Sequence, residues 1–490
     1  MKILFVASLH QPAPLGVMCL SSVLKCRGHE VQCVDGSITE IRRAFREKTY
    51  DVVAFSTPSM CFSRFLYLAS QVKRESNAFI CFGGPHPTYA PEDVAKAKCI
   101  DAFCRGEGEI AMVEMIRRLQ DGESLYDVPN WWVREGDHWH KNDIQPLISD
   151  LDELPFPDRD LFKGKYPPNE FHQPAMASRG CPFSCTYCYV PVYAELYKGK
   201  GKRVRRRSVG SLMEELKQVK SMYPGSVIGF YDDILILPPM AWLEDFFATY
   251  KEKIGLPFHC NLRAELITEP IANMLKDAGC TLASLGLESG DVQIRKEVMG
   301  RRMSQRTFVR AVHLLKKCHV PFSLYNILAV PGSDIEAELH TLKINYLVQP
   351  VNPMAFFFKP FPNLPLTQKA IKEGYYNGDS NKLSSMAFYR PRSPLKFADR
   401  KYERQVTNLH HLFAILVAHP CLYSIRGLLI SLPLSPLYYR IYQLRGLWIG
   451  FFGAFTRNGR PVRRITKTRR GLAWKSWWLR LKYAIKTLWE

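Results

Sequence analysis

Cysteine is scarce in this chain, with 14 in 490 residues, far below the density of a disulfide-stapled scaffold. No run of 18 apolar residues occurs, so nothing reads as a membrane-spanning helix. The nearest approach, residues 405–425, has no formal charge but contains His410, His411, His419 and Pro420. No secretory leader is expected, because Met1-Lys2-Ile3-Leu4-Phe5-Val6 reads directly as a buried strand. A cytoplasmic, reducing setting is therefore expected, where clustered cysteines are ligands and scattered ones are small core residues. Acidic residues nearly vanish at the end: residues 401–490 hold 16 Lys/Arg against two Glu, most of the chain's net charge of +21. A surplus confined to a tail points to local docking, not to a nucleic-acid-binding body. What remains is a folding composition, 47% apolar and 12% aromatic, which excludes a mainly disordered protein. The length suggests about three domains.

The front of the chain alternates short apolar runs with helix-period segments. Strands are expected at residues 3–7, 31–34, 52–56, 79–82 and 100–104, and helices at 16–27, 62–74 and 110–119. Runs apolar on both faces, separated by helices, indicate a parallel sheet covered on both sides. The expected fold class is thus α/β, beginning with a doubly wound, flavodoxin-like domain over residues 1–135. Such sheets bind ligands outside the carboxyl ends of their strands, here residues 8–16, 56–61, Gly83-Gly84-Pro85-His86-Pro87 and 105–108. Residues 136–172 are proline-dense and read as a linker. Over residues 173–380 the alternation resumes, with strands at 175–178, 227–231, 258–262, 281–286, 322–329 and 355–358. Helices are expected at 209–222, 241–253, 270–278, 305–317 and 335–347. Six βα units are too few for an eight-fold barrel and ample for a partial TIM-type (βα)6 barrel. Residues 381–490 lose the strand rhythm and read as helix followed by a basic, aromatic tail.

The sharpest motif is Arg179-Gly180-Cys181-Pro182-Phe183-Ser184-Cys185-Thr186-Tyr187-Cys188, a C-x3-C-x2-C. It lies on the loop after the first barrel strand, where barrel active sites are built. Three thiolates on one tight loop suit an iron–sulfur cluster. Zinc would want a fourth Cys or His at comparable spacing, and none follows Cys188 closely.

On these residues the sequence resembles the radical S-adenosylmethionine (SAM) enzymes, whose signature is C-x3-C-x-aromatic-C. Cys181, Cys185 and Cys188 match the ligands and Tyr187 the aromatic beside SAM. The resemblance implies a 4Fe–4S cluster held by three cysteines, with one iron open to the amino and carboxylate groups of SAM. Tyr231-Asp232-Asp233, Asn261-Leu262-Arg263 and Gly286-Leu287-Glu288-Ser289-Gly290 end the next three strands. They resemble the DD, N-x-R and G-x-E-S-G blocks of the cobalamin-binding branch, which makes Asp232, Arg263, Glu288 and Ser289 expected cofactor contacts. Each block alone admits a plain role, an acidic helix cap or an internal Arg263–Glu288 ion pair. Pro362-Asn363-Leu364-Pro365-Leu366 departs from the usual P-G-T-P-L.

The front domain is similar to the cobalamin-binding domain of the same branch through Leu20-Ser21-Ser22-Val23-Leu24, Gly28-His29-Glu30-Val31, Gly83 to Thr88, and Gly106-Glu107-Gly108-Glu109. Ser56, Gly83, Gly84, His86 and Gly106 become expected cobalamin contacts. The D-x-H-x-x-G motif that supplies a cobalt ligand elsewhere is absent, and His86 between two prolines reads as a shaped turn. Cobalt without a protein ligand is expected.

The resemblance implies reductive SAM cleavage at the cluster, a 5′-deoxyadenosyl radical, and C-methylation of an unactivated carbon through methylcobalamin. Cyclisation or oxidation with the same cofactors is the alternative. A non-catalytic corrinoid or iron–sulfur binding protein is a third reading, which the full set of SAM-type blocks disfavours. Expected partners are a small-molecule substrate and an electron donor such as flavodoxin or ferredoxin. Residues 457–490 carry 11 Lys/Arg against one Glu, and five of the nine tryptophans lie beyond residue 440. Tryptophan beside cations is the pattern of an interfacial helix, and peripheral contact with the inner membrane face would favour a lipid, isoprenoid or tetrapyrrole substrate. A helical cap on the open barrel with a solvated basic face reads equally well, and RNA binding is a third reading.

Overall fold

The computed structural model describes residues 1–8, 14–163, 172–379, 383 and 392–452. The front domain is built on a seven-stranded sheet: β1 (Lys2–Ala7), β2 (Glu30–Asp35), β3 (Val52–Ser56), β4 (Phe79–Gly83), β5 (Ala102–Cys104), β6 (Trp131–Glu135) and β7 (His138–Lys141). The order is β2-β1-β3-β4-β5-β6-β7, parallel through β5. That is the flavodoxin-like winding, with its switch point between β1 and β3. β1 is central and buried almost throughout, which is why its sequence is a continuous apolar run. The antiparallel hairpin β6–β7 is an addition: it continues the sheet to Lys141, past the expected boundary at residue 135.

The second sheet is six-stranded and wholly parallel, in the order β15-β14-β13-β12-β11-β8. Its strands are β8 (His172–Ala175), β11 (Val227–Phe230), β12 (Phe258–Leu262), β13 (Cys280–Glu288), β14 (Phe322–Leu328) and β15 (Asn352–Phe357). The first begins at residue 172 instead of 175. A two-stranded antiparallel ribbon, β9 (Ser178–Arg179) with β10 (Arg205–Arg206), flanks the cysteine loop. Four covering helices start on side-chain caps: Ser208, Thr268, Ser304 and Asp334 accept from the backbone N–H of Ser211, Ile271, Thr307 and Ala337.

The first part of the uncharged stretch, residues 406–417, is largely buried against protein, while residues 418–421 and 424–425 are exposed. The helix Arg400–Ala418 packs on β15 and on the helix Ile335–Val348, covering the sheet edge that an open barrel leaves. His410 and His411 are buried there, and His410 stacks on Phe357 with ring centroids 4.2 Å apart. Helices Pro420–Ser424, Arg426–Ser431 and Ser435–Phe452 follow. No described helix is long and apolar enough to cross a membrane. The Tyr166-Pro167-Pro168 connector, part of the loop at residues 8–16 and the basic tail from residue 453 lie outside the described residues.

Candidate functional site

The cysteine loop leaves the ribbon through Gly180, whose φ is +92° and whose position admits no side chain, since a Cβ there would lie 1.9 Å from the Arg203 carbonyl oxygen. The loop is then pinned at several points. The Thr186 N–H donates to the Met299 carbonyl at 3.1 Å, and its hydroxyl donates to the Val298 carbonyl at 2.7 Å. The Leu366 N–H donates to the Thr186 carbonyl at 3.0 Å. Arg203 donates to the Phe183 carbonyl and to the Ser184 hydroxyl. A turn closed by Cys188 N–H on the Cys185 carbonyl, 3.1 Å, brings the cysteines together.

All three thiols are free. Burial, the Asp233 carboxylate and the neighbouring thiols raise the Cys188 pKa to about 11, and Cys181 is raised from the same kinds of cause. Arg263 brings the opposite charge: its Nη1 lies 3.4 Å from Cys185 Sγ and its guanidinium lies over the Phe183 ring at 3.6 Å. Among the described residues no three Cys, His, Asp or Glu side chains converge on a single metal ion. Three cysteines on one tight loop beside a cation are the kind of ligand set that holds an iron–sulfur cluster.

Next to the thiols is a box of buried charge. Arg263 Nη2 donates to Glu265 at 2.7 Å, and Arg301 reaches Glu265 at 3.4 Å and Glu288 at 3.2 Å. Glu288 has φ +65°, and burial raises its pKa while Arg301 lowers it. Tyr187 faces the same pair, its hydroxyl close enough to feel both charges. The geometry therefore gathers Cys181, Cys185, Cys188, Tyr187, Arg263 and Glu288, with Asp233 of the Tyr231-Asp232-Asp233 block in place of Asp232, and adds Glu265 and Arg301, which no sequence block had marked.

Four of the expected contacts have partners within the protein itself. Asp232 is fully buried and accepts from Ala177 N–H at 3.0 Å, Ser178 N–H at 2.6 Å and the Ser178 hydroxyl at 2.6 Å, so it braces the first strand's exit. Its neighbour Asp233 is exposed and bears on the thiols. The Ser289 hydroxyl accepts from Asp291 N–H at 3.2 Å and shapes a turn. Gly106, φ +78°, is covered by the barrel side, because a Cβ would lie 1.9 Å from the Tyr197 hydroxyl. The His86 ring is 1% exposed and packed against Phe62 with ring centroids 4.0 Å apart and planes tilted by 30°, and neither ring nitrogen is hydrogen-bonded. Burial lowers its pKa to about 4.

The crevice of the front domain is made of backbone. The Thr57 N–H donates to the Gly83 carbonyl at 2.8 Å and the His86 N–H to the Thr57 carbonyl at 2.9 Å, which locks the loops after β3 and β4 together. Gly84, φ +92°, leaves a Cβ only 3.2 Å from Thr57 N and 3.8 Å from the Ser56 hydroxyl. Gly83 pairs with Ser56 at the last register position of these strands. Small residues and bare peptide suit a large flat ligand with an amide-rich rim.

These loops meet the barrel mouth. Tyr89 stacks on Tyr189, the residue after Cys188, with centroids 3.9 Å apart, and the Tyr189 hydroxyl is 3.1 Å from Ser59 Oγ. On the barrel face opposite the covering helices, His172 and His259 lie 4.1 Å apart, Tyr231 is 5.6 Å from His259, and Tyr325 is 6.2 Å from Phe356.

Comparison with known proteins agrees with this layout. A B12 binding domain model matches residues 1–116, and a radical SAM superfamily model matches residues 176–343. An uncharacterised methyltransferase of Pyrococcus horikoshii is 27% identical over 367 residues, 73% of this chain and 78% of that protein. An anaerobic magnesium-protoporphyrin IX monomethyl ester cyclase of Synechocystis is 25% identical, covering 63% of each chain. The hopanoid C-3 methylase of Methylococcus capsulatus is 26% identical, covering 66% of this chain and 62% of that one. Two solved structures share the fold. TsrM of Kitasatospora setae, a radical SAM methyltransferase with cobalamin and a 4Fe–4S cluster bound, has a TM-score of 0.63 at 15% identity, covering 76% of this chain and 75% of its own. The cobalamin-dependent radical enzyme OxsB with SAM bound has a TM-score of 0.65 at 15% identity, covering 98% and 75%.

Proposed function

The chain belongs to the cobalamin-binding branch of the radical SAM superfamily, and on that premise we propose that it methylates an unactivated carbon of a small-molecule substrate. When bound, the cluster, SAM and cobalamin supply a carbon radical and a methyl group, and the protein orients them. One observation carries the reading: the three-thiol loop at the barrel mouth faces the glycine-built loops of the front domain across the Tyr89–Tyr189 stack. Cys181, Cys185 and Cys188 hold the iron, and Arg263 offsets the charge gathered at Cys185. Glu288, Arg301 and Tyr187 offer one acidic, one basic and one hydroxyl partner beside the thiols, matching the amino and carboxylate groups of SAM. Ser56, Gly83 and Gly84 form the edge on which cobalamin rests. The aromatic wall of His172, Tyr231, His259, Tyr325 and Phe356 suits a flat or aliphatic substrate. A low-potential protein of the flavodoxin or ferredoxin type is the electron donor. The test is anaerobic reconstitution with iron, sulfide, cobalamin, SAM and reductant. Formation of 5′-deoxyadenosine and S-adenosylhomocysteine is expected; absence of both overturns the reading. Cyclase-type relatives frame the alternative, which 5′-deoxyadenosine without S-adenosylhomocysteine would favour.

A second element of the proposal concerns location. Leu428, Leu437 and Leu444 are 62%, 49% and 63% exposed on the last described helices and Ile425, between two of them, is 47% exposed, just before the Lys/Arg-rich residues 457–490. Exposed leucines followed by cations suit an anionic lipid surface, each cation near it being worth about 1 kcal/mol. The substrate class is then a lipid, isoprenoid or tetrapyrrole. Flotation with anionic vesicles tests this on the full chain and on one ending at Phe452, since cutting inside Arg400–Ala418 would strip the barrel edge. Full-length protein rising at low salt while the shorter form rises less is expected. Both remaining at the bottom overturns it.

A further inference from the structure

The Gly106-Glu107-Gly108-Glu109 segment has a role apart from ligand contact. Glu107 Oε1 accepts from Arg179 Nη1 at 3.0 Å and from Arg205 Nη2 at 2.9 Å. Its Oε2 accepts from Arg205 Nη1 at 2.9 Å and from the Ile148 N–H at 3.0 Å. Glu109 Oε1 accepts from Arg179 Nη2 at 2.6 Å. Arg179 and Arg205 are partners in the β9–β10 ribbon, so two front-domain carboxylates grip both strands of a barrel ribbon.

That ribbon is mechanically continuous with the cysteine loop. Arg179 is two residues before Cys181, and the glycine between them is jammed against the Arg203 carbonyl. Arg203, two residues before the ribbon's second strand, donates into the loop at Phe183 and Ser184. The Tyr197 hydroxyl accepts from Glu107 N–H at 2.7 Å and fills the space over Gly106. The loop's far end is tied as well, through Tyr189 on Tyr89 and Ser59. Both ends of the cysteine loop are thus fixed to the same domain, one to the segment after β5 and one to those after β3 and β4.

Buried ion pairs add little net stability over apolar packing of the same shape, but a bidentate pair fixes orientation. Four charges where apolar packing would serve the fold imply a demand on geometry. We propose that Glu107, Glu109, Arg179 and Arg205 are positioning residues that set the distance between the cluster and cobalamin. The inference rests on the functional reading above and adds to it.

The test uses the full chain reconstituted with iron, sulfide and cobalamin, then reduced so that both cluster and Co(II) are paramagnetic. Parent, Glu107→Gln, Arg205→Gln and the double variant are compared by iron content, cobalamin affinity and the electron–electron dipolar coupling between the two centres. Gln at 107 keeps an acceptor for Ile148 N–H. Iron and cobalamin affinity should stay within about twofold of the parent, while the dipolar coupling weakens or broadens in each single variant. Because the residues act as one unit, the double variant should lose no more than either single. Coupling unchanged in all variants overturns the inference and leaves the functional reading standing. So does insolubility, or loss of iron in step with coupling, since the pairs would then only hold the fold. A parent that takes up neither cofactor overturns the functional reading, and the inference with it.

Discussion

At the barrel mouth the site is made by side chains: three thiols, Arg263 at 3.4 Å from one of them, and the Glu265–Arg301–Glu288 chain beside Tyr187. At the end of the front sheet the site is made by what is absent: Gly83 and Gly84 with bare peptide around Thr57. The first depends on residue type at each position. The second tolerates changes of type so long as nothing protrudes. The comparison breaks first at the thiols. Cys181→Ala should lose about a cluster's worth of iron and all SAM cleavage, read by iron content and 5′-deoxyadenosine after anaerobic reconstitution. Cleavage at the parent rate would remove the distinction altogether.

The matching test of the crevice is Gly84→Ala. The added methyl meets Thr57 N at 3.2 Å on a backbone with φ +92°, so a loss of about 1–3 kcal/mol and weakened cobalamin binding are expected. Gly28 is the control, with φ +81° and nothing within 4 Å. Gly28→Ala should cost only about 1 kcal/mol, from backbone strain, and leave cobalamin affinity unchanged. Urea unfolding and cobalamin titration read both. Equal effects at the two sites would mean that crowding at Thr57 plays no part.

The two regions differ in how much of each the sequence disclosed, for the same reason. Helices Val209–Met222 and Gln305–Lys317 were expected at those very limits because Ser208 and Ser304 cap them on backbone N–H groups. Winding and the open barrel followed from apolar runs separated by helices. The β6–β7 hairpin escaped because Trp131-Trp132-Val133 lies beyond the βα rhythm and turns back within three residues. The cysteine site was legible because ligands announce themselves by type. Which of two adjacent carboxylates faces the thiols was not: Asp232 turns inward to Ala177 and Ser178, and one residue on the chain points the other way. Arg301 was hidden by distance, 13 residues after the glutamate it meets. Glu107 was read with its glycines as a ligand loop because sequence shows small residues without showing that Tyr197 already fills the gap.

Barrel-side dependence on buried charge should also appear as pH sensitivity. Glu338 is buried where helix Ile335–Val348 meets the end of β14, accepting from Ala329 N–H at 2.8 Å, Ser333 Oγ at 2.9 Å and the Tyr402 hydroxyl at 3.1 Å. Burial raises its pKa to about 7. A carboxyl raised on folding favours the native state fully below its unfolded value and loses that contribution as pH rises to the folded one. Stability should therefore fall from about pH 4.5 to about pH 7, by up to about 1.4 kcal/mol per unit from this group. Glu338→Gln, which keeps an acceptor, should flatten that slope in urea midpoints measured across the range. An unchanged slope would place the pH dependence elsewhere.

The smallest expected effect is at His86, and it tests whether the crevice relies on any side chain at all. The residue stands in the loop after β4, where a histidine tempts assignment as a cobalt ligand. Yet its ring is 1% exposed, packed on Phe62 at 4.0 Å, with burial lowering its pKa to about 4. To reach a bound metal it would have to leave an aromatic contact in the core. Its backbone does the structural work, donating to the Thr57 carbonyl at 2.9 Å. His86→Phe keeps that N–H and a flat ring, so cobalamin affinity should change by no more than about threefold, less than 1 kcal/mol. Electron paramagnetic resonance of the Co(II) form should show no nitrogen superhyperfine splitting, in parent and variant alike. Splitting in the parent that vanishes in His86→Phe would make His86 a ligand, and the front site would then rest on a side chain just as the barrel site does.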